Sequence, residues 1–433
     1  MRSDALNPMM VAHYTDRPTG AEAWLVVDTF LHGVAGGGVR MSPEVTERVM
    51  THLAATMSMK LAVVEPPCGG AKCGIRYDPK APDSKEVFAR VVRAFAPFLQ
   101  NCWVTGSDLG TSWQEVVAAS RQYAGIPHPQ YALLKAYSPA DPAEIQRGIE
   151  RMTRGTSLTL DEAAHMQMSD SVTGWTVAAA TGEALRVKGE DVRGKRVAIQ
   201  GFGAVGGSAA KFLSEAGATI VAVSDELGAV VTKDMSGLDI DGLLKIRKAP
   251  GYKVIDREQL ARQYTYELAE RDDVLYLDVD VLVPAAGSHL SLDLQRVKAK
   301  LIVEGANDPF TDEQEELLYR RGVTIVPDAI ANCGSAGLYG LLVVGAVPLE
   351  SRALLEFLRD EVQKITRRVL EEDSEPPRKV FERIARAEIR NRIAEGHSVM
   401  PNGLSVGDLR SMEAQDMRIR YRETSPYSLA EAV

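Results

Sequence analysis

Residues 196–225 constrain the fold more than any other stretch of the chain. Residues 197–200 read as a short buried strand, and Gly201, Gly203 and Gly206 then form Gly-x-Gly-x-x-Gly. Residues 204–216 read as a helix, with Lys211, Ser214 and Glu215 on its wet side and Gly217 as its stop. Residues 219–223 form a second apolar, β-branched run that ends at Asp225. A strand, a glycine turn, a helix, a second strand and an acid make up one half of a doubly wound dinucleotide-binding domain. The glycines allow a tight turn, close approach to a pyrophosphate, and close packing of helix on strand. The helix N-terminus offers free N–H groups to the phosphates. Asp225, 22 residues after Gly203, stands where a carboxylate accepts from ribose hydroxyls. Glu226 and Leu227 follow it, with no Arg or Lys close behind, which favours NAD and leaves NADP open.

At 433 residues the chain has room for two domains. Fifty basic and 59 acidic residues give a net charge of −9, and the two signs are interspersed, so neither nucleic acid nor a membrane is an expected partner. Cys68, Cys73, Cys102 and Cys333 read as reduced thiols of a cytoplasmic enzyme. Cys68 and Cys73 lack a matching Cys/His pair, so no metal is expected. The first residues carry no apolar signal core, and no apolar run reaches the roughly 18 residues that a membrane helix needs.

Taken in order, residues 22–31 read as a strand and 32–40 as a glycine-dense loop. Residues 43–59 read as a helix capped by Ser42 with Pro43 first, and 61–64 as a short strand. Residues 66–75 read as a second glycine-dense loop, with Lys72 in its middle. A lysine between Gly70 and Gly74 suggests a backbone held close to a ligand. Residues 84–99 read as an amphipathic helix, and 102–111 as a strand entering a loop with Asp108 at the strand's end. Residues 143–152 read as a helix that starts at Pro142 and stops before Gly155, and 160–168 as a further helix. Residues 276–283, 300–304 and 323–326 read as strands, and 312–321, 350–370 and 377–396 as helices. Residues 421–433 read as a loose tail.

Several stretches, in one order, carry a resemblance. They are Gly37-Gly-Val-Arg40, Met59-Lys60-Leu-Ala-Val-Val, Gly69-Gly-Ala-Lys72, Ser107-Asp108-Leu-Gly-Thr, Val172-Thr173-Gly174, Gly201-Phe-Gly-Ala-Val-Gly206, Val223-Ser-Asp225, Pro284-Ala-Ala, Glu304-Gly-Ala-Asn307 and Asp328-Ala-Ile-Ala-Asn332. Across roughly residues 20–345 the chain resembles the glutamate/leucine/phenylalanine/valine dehydrogenases. The resemblance implies oxidative deamination of an L-amino acid to a 2-oxo acid and ammonia, or the reverse. Lys72 would activate water and polarise the carbonyl, Lys60 would hold the α-carboxylate, and Asp108 would pass protons to and from the amine. A lysine works near neutral pH only if burial or neighbouring cations depress its pKa. Gly201, Phe202, Gly203, Ala204, Val205, Gly206, Ser224, Asp225, Ala285 and Ala286 fall on cofactor positions. Thr173, which would begin a helix, falls near the cofactor too, and Asn307 and Asn332 fall at the nicotinamide end. The implied fold is α/β in two domains: an N-terminal α/β substrate domain over 1–168, a doubly wound Rossmann domain over 169–345, and C-terminal helices over 346–433 crossing back. Relatives form closed homo-oligomers.

The chain also departs from that family. Glutamate-specific members place a lysine where Gly36 stands, just before Gly37, and a serine where Tyr339 stands, seven residues after Asn332. Without those two grips on a side-chain carboxylate, glutamate is not the expected substrate. A glycine and a tyrosine suggest a wider pocket for an apolar, aromatic or unusual amino acid. Segment 122–171 is longer than the family leads one to expect, with 64 residues between Asp108 and Thr173, and reads as a lid, an oligomer contact or a site for a larger substrate. Two other functions stay open: a divergent relative acting on another biosynthetic amine, and a non-catalytic dinucleotide-sensing protein.

Overall fold

The computed structural model describes residues 7–64, 67–137, 141–248, 254–288, 290–372, 374–412, 416–424 and 427. The chain divides into two compact units. Of the described residues, one contains Thr153–Tyr339 and Val347–Arg383; the other contains those from 7 to 152, Gly340–Ala346 and those from 384 onward.

The first unit is built on a seven-stranded sheet. Its centre is the strand Arg196–Gln200, which pairs in parallel with Thr219–Asp225 on one side and Val281–Pro284 on the other. Leu301–Val303 and Thr324–Val326 extend the parallel sheet outward. Gly228–Val231 and Glu267–Ala269 close the opposite side as antiparallel strands. The inner strands are apolar along their length because both faces are covered: Ala198, Val221, Leu282, Ile302 and Ile325 lie in one core. The strand order reverses at Arg196–Gln200, so the glycine turn after it sits where doubly wound sheets bind ligands.

Two expected elements of this unit differ. Residues 276–283 do not form one strand: a 3₁₀ turn covers Arg271–Tyr276 and the strand starts only at Val281. The Asp280 side chain accepts the Arg196 N–H at 2.8 Å, which closes the ladder there. Residues 160–168 form no helix but a two-stranded hairpin, Thr159–Asp161 with Met166–Gln167. Asp161 holds its turn by accepting from Ala164 N at 3.0 Å. The helix that follows is Met168–Val187, so Thr173 lies inside it rather than at its start.

The second unit has a sheet ordered Met417–Tyr421, Met10–Asp16, Ala21–Val27, Gly69–Arg76, Ala35–Gly36, Trp103–Val104. The first three pairings are antiparallel and the next two parallel. The second glycine-dense stretch is therefore a strand from Gly69 on, and the first keeps its loop around two short strands, Ala35–Gly36 and Val39–Met41. Gly70 and Gly74 share a face with Lys72, and a Cβ on either would strike the helix side: Ser58 and Ala54 for Gly70, Met50 and Val45 for Gly74. The glycines let that helix lie directly on the strand. The helix is Glu47–Ala62, not 43–59, and Thr46 caps it by accepting from Val49 N. Ser42-Pro43 instead makes the preceding turn, with Val45 N bonded to Ser42 O. Leu61 and Ala62 end this helix, so the short strand expected at 61–64 does not form. Residues 84–99 break into Ser84–Ala94 and Ala96–Asn101 around Phe95, because Pro97 brings no N–H to continue the ladder. Pro142–Thr156 is a single helix that runs through Gly155. Of the expected tail, Tyr421 ends a strand and Tyr427 is buried; the rest lies mostly outside the described residues. Among the described residues no helix is long and apolar enough to cross a membrane.

Candidate active site

In the second unit, Lys72 projects from the middle of the strand Gly69–Arg76 and is almost wholly buried. It forms an ion pair with Asp108. Asp108 lies four residues beyond the strand Trp103–Val104, in a loop that continues along 37–39: Gly37 N bonds Val104 O and Val39 N bonds Gly106 O. A Cβ on Gly37 would overlap the carbonyl of Ala71, so only glycine lets this loop lie beside the Lys72 strand. The Asp108 loop is held by its own bonds. Leu109 N donates to Asp108 Oδ1 at 2.6 Å, and the Thr111 hydroxyl accepts from Asp108 N at 3.0 Å and donates to Val39 O at 2.8 Å.

Arg40 donates to Asp108 Oδ1 at 3.3 Å. Burial alone would push the Asp108 carboxyl up, but Lys72 and Arg40 hold it well below the usual carboxylate range. The result is a desolvated carboxylate between two cations. Lys60 is buried in the last turn of Glu47–Ala62, the helix on which Gly70 packs. The structure thus joins Lys72 and Asp108, and adds Arg40, which in sequence is only part of a motif.

Gly36 is buried in the short strand Ala35–Gly36. A Cβ there would meet Val104, Cys68 and Leu61 at 3.2–3.4 Å. Its lack of a side chain therefore makes room for neighbouring apolar groups and does not open a wider pocket. Cys73 faces the core; burial pushes its thiol above the ordinary range, so the lysines do not activate it.

In the first unit the glycine turn has the features that a dinucleotide requires. Gly201 has φ +92°, and a Cβ on Gly206 would overlap the Gly201 carbonyl. Gly203 leads into the helix Ala204–Glu215, whose first turn carries Ala204, Val205 and Gly206. Phe202 is buried. Ala285 and Ala286 press on Gly201, and a Cβ there would meet the Ala286 side chain at 2.7 Å. Gly201 and Gly206 let the turn fold tightly on itself and against Ala285–Ala286, and Gly203 leads into an uncapped helix N-terminus, an arrangement that fits a pyrophosphate.

Two acceptor positions behave differently from expectation. The Ser224 hydroxyl is fully buried and accepts from Gly201 N at 3.3 Å, so it braces the turn from behind. Asp225 is buried, and its oxygens accept from Leu227 N and Ile255 N, both at 2.8 Å, and from Arg257 at 2.7 and 3.0 Å. Arg257 stands 32 residues further along the chain, so the lack of a basic residue just after Asp225 did not reveal it.

At the other end of this sheet, Asn332 donates to Asn307 Oδ1 at 3.0 Å and to Gly305 O at 3.3 Å. The Thr173 and Ser335 hydroxyls are 2.9 Å apart. The loops bearing the two asparagines are anchored by buried Arg378, which pairs with Glu304, with Glu315 at 2.6 Å and with Asp328 at 2.7 Å. Burial holds the Glu304 carboxyl well above its usual range, Glu315 and Asp328 adding to the effect against Arg378. Nothing in the local sequence marked Arg378. Tyr339 is half-buried, and burial, with Asp170, raises its phenol pKa. In the extra segment His128 is buried against Trp113 and its Nδ1 accepts from Gln130 N; burial lowers its pKa to about 4, which marks a structural histidine. Arg151 caps the helix Gly334–Val344 through Leu342 O and Val343 O at 3.1 and 2.6 Å.

The sequence model of the family Glutamate/Leucine/Phenylalanine/Valine dehydrogenase matches residues 166–397, and that of its dimerisation domain matches residues 9–125. A glutamate dehydrogenase of Thermotoga maritima is 34% identical over 312 residues, 70% of this chain and 67% of that protein. An NADP-specific glutamate dehydrogenase of Saccharolobus shibatae is 32% identical over 305 residues, 69% of this chain and 65% of that one. The chain thus spans about two thirds of the length of these relatives. Among solved structures, hetero-hexameric glutamate dehydrogenase from Thermus thermophilus in its Leu-bound form superposes with a TM-score of 0.66 at 23% identity, covering 89% of each chain. Plasmodium falciparum glutamate dehydrogenase 2 gives 0.67 at 18% identity, covering 90% of this chain and 86% of that one.

Proposed function

This chain belongs to the Glutamate/Leucine/Phenylalanine/Valine dehydrogenase family, amino acid dehydrogenases acting on CH–NH2 groups, and we propose that it catalyses the NAD(P)-dependent oxidative deamination of an L-amino acid. An amino acid, the oxidised dinucleotide and water give a 2-oxo acid, ammonia, the reduced dinucleotide and a proton. The observation that carries the reading is the buried Lys72–Asp108 pair with Arg40 behind it.

Lys60 binds the substrate α-carboxylate as a buried cation. Asp108, kept ionised by Lys72 and Arg40, takes a proton from the amine and leaves it free to release electrons. Lys72, as the cation paired with Asp108, orients a water for attack on the iminium carbon, and Asp108, its first proton passed to solvent, takes the proton that water loses and hands it to the departing amine. A bound nicotinamide would supply the hydride acceptor. The glycine turn and the N-terminus of Ala204–Glu215 would hold its pyrophosphate, while Asn307, Asn332 and Thr173 would orient the nicotinamide end.

The substrate we propose lacks a side-chain carboxylate. Gly36 offers no cation, and the groups around it are Val104, Cys68 and Leu61. Glutamate is the second reading, favoured by the names of the relatives. The protein acts as a homo-oligomer, a reading supported by the match to a dimerisation domain. The test is reduced-dinucleotide formation at alkaline pH across a panel of L-amino acids with NAD and with NADP. Turnover of an apolar or aromatic amino acid above glutamate supports the specificity; best turnover with glutamate refutes it.

A further inference from the structure

Residues 126–165 lie between the two stretches that match the family's sequence models, so the resemblance gives them no role. In the structure, their first part bonds to both chain segments that bring in the Lys72–Asp108 pair.

The loop of Asp108 is gripped at each end. Thr105, three residues before Asp108, is buried, and both of its main-chain groups end on this segment. Thr105 N donates to Pro129 O at 3.2 Å, and buried Gln130 donates from Nε2 to Thr105 O at 2.7 Å. Five residues beyond Asp108, the Trp113 ring meets His128 edge-on, with centres 5.7 Å apart. His128 Nδ1 accepts from Gln130 N at 3.1 Å, which fixes the turn that presents Gln130.

The entry to the Lys72 strand is held from the same short helix. The helix Tyr131–Tyr137 follows Gln130 directly, and its rise sets Gln130 and Tyr137 about 10 Å apart. At its far end the Tyr137 hydroxyl donates to Pro67 O at 2.7 Å, two residues before the strand Gly69–Arg76. The Tyr137 ring also packs on His32, with centres 5.2 Å apart. His32 and Gly33, at φ +54° and +72°, make the tight turn that leads into Ala35–Gly36. That strand pairs with Gly69–Arg76 on one side and Trp103–Val104 on the other. These residues are not an exposed flap. Ile126 lies in the core with Trp103 and Ala71, and Ala132, Leu133 and Leu134 are buried. A Cβ on Gly148 would strike Leu134, so the helix Pro142–Thr156 backs the short helix directly.

We propose that residues 126–137 are an internal brace for the reacting pair: Gln130 sets the Asp108 loop and Tyr137 sets the entry to the Lys72 strand, so both are positioning residues for the deamination. This rests on the deamination reading above. Removing either donor leaves a main-chain carbonyl unpaired, and the loop shifts to find another partner. A displacement of about 1 Å is enough to slow a positioned reaction about 10²-fold.

The test is single-turnover reduction of NAD or NADP in stopped flow. The full chain is in excess of dinucleotide, with the amino acid that the wild type turns over best in the panel above. The rate constant reports the chemistry, and the amplitude reports the fraction of competent chains. Gln130→Met and Tyr137→Phe are each expected to lower the rate constant about ten-fold or more with the amplitude retained. Affinity for NADH and NADPH, by fluorescence titration, is expected to stay within about two-fold, because the glycine turn is untouched. Arg147→Ala removes an exposed pair with Glu144 on Pro142–Thr156 and is expected to leave the rate constant within about two-fold. A rate constant within about two-fold of wild type in both brace variants, or a fall in amplitude alone, overturns the brace and leaves the deamination reading standing. No dinucleotide reduction by the wild type with any amino acid of the panel overturns the reading and the brace together.

Discussion

Replacing Arg378 by Met tests how the asparagine loops are held. Arg378 is the shared cation of Glu304, Glu315 and Asp328, and all four side chains are at most 7% exposed. Removing one partner of a buried ion pair costs about 3–5 kcal/mol, because it strands buried charge. Glu304, held well above its usual range, can keep a proton and so evade part of that cost. Glu315 and Asp328 then carry most of it, and about 3–5 kcal/mol remains the expected loss. Against a stability of about 5–15 kcal/mol this is a large share. For a unit of about 150–250 residues it lowers Tm by about 6–20 °C. Urea unfolding followed by circular dichroism measures it, with Arg378→Lys keeping the charge without the three-way fork and falling between. Glu304→Gln is the control: a carboxyl that tends to hold a proton is expected to tolerate the amide with a loss below about 1 kcal/mol. A loss under about 1 kcal/mol in Arg378→Met would refute the anchoring argument.

Other outcomes follow from the same structure. Burial raises Asp28 to about 6, more than Ser58, Tyr427 and Arg386 lower it. A raised carboxyl favours folding below its unfolded pKa and loses that benefit as pH rises through about 6, so Asp28→Asn is expected to be more stable than wild type by about 2–3 kcal/mol at pH 7.5, converging below pH 4, in pH-dependent urea titrations. Gly206→Ala drives a methyl into the Gly201 carbonyl and is expected to weaken dinucleotide binding about ten-fold or more in the fluorescence titration. Asp108→Asn removes the proton acceptor and is expected to lower kcat by about 10²–10⁴. Because the Asp108 pKa is lowered, its ion pair stabilises above the ordinary aspartate range, and the stability gap between wild type and Asp108→Asn is expected to close as pH falls below that range.

The dinucleotide domain was legible because its signals are local. Gly201, Gly203 and Gly206 sit between two β-branched runs, and the structure places Arg196–Gln200, Ala204–Glu215 and Thr219–Asp225 within a residue or so of the expected bounds. The strand that carries Lys72 was not legible as a strand, since its glycines answer to the preceding helix pressed against them, and a glycine-dense run reads locally as a loop. The apolar run 61–64 was ambiguous for a different reason: four residues carry no period that separates helix from strand. Lys72 and Asp108 were named from motifs, and their pairing needed the fold to bring positions 36 residues apart together. Arg257 and Arg378 escaped entirely. Each meets its carboxylates across 32 to 74 residues of chain, a separation at which charge pattern carries no signal.

Lys72 and its partners set up an amino acid for loss of hydride from Cα to the dinucleotide. The direct measurement is deuterium transfer from a 2-deuterated amino acid substrate into the reduced dinucleotide, followed by mass spectrometry in wild type and Lys72→Ala. The account expects one deuterium per reduced dinucleotide in the wild type and a rate about 10²–10⁴ lower in the variant. Reduced dinucleotide without deuterium, or a Lys72→Ala rate equal to the wild type, would contradict it.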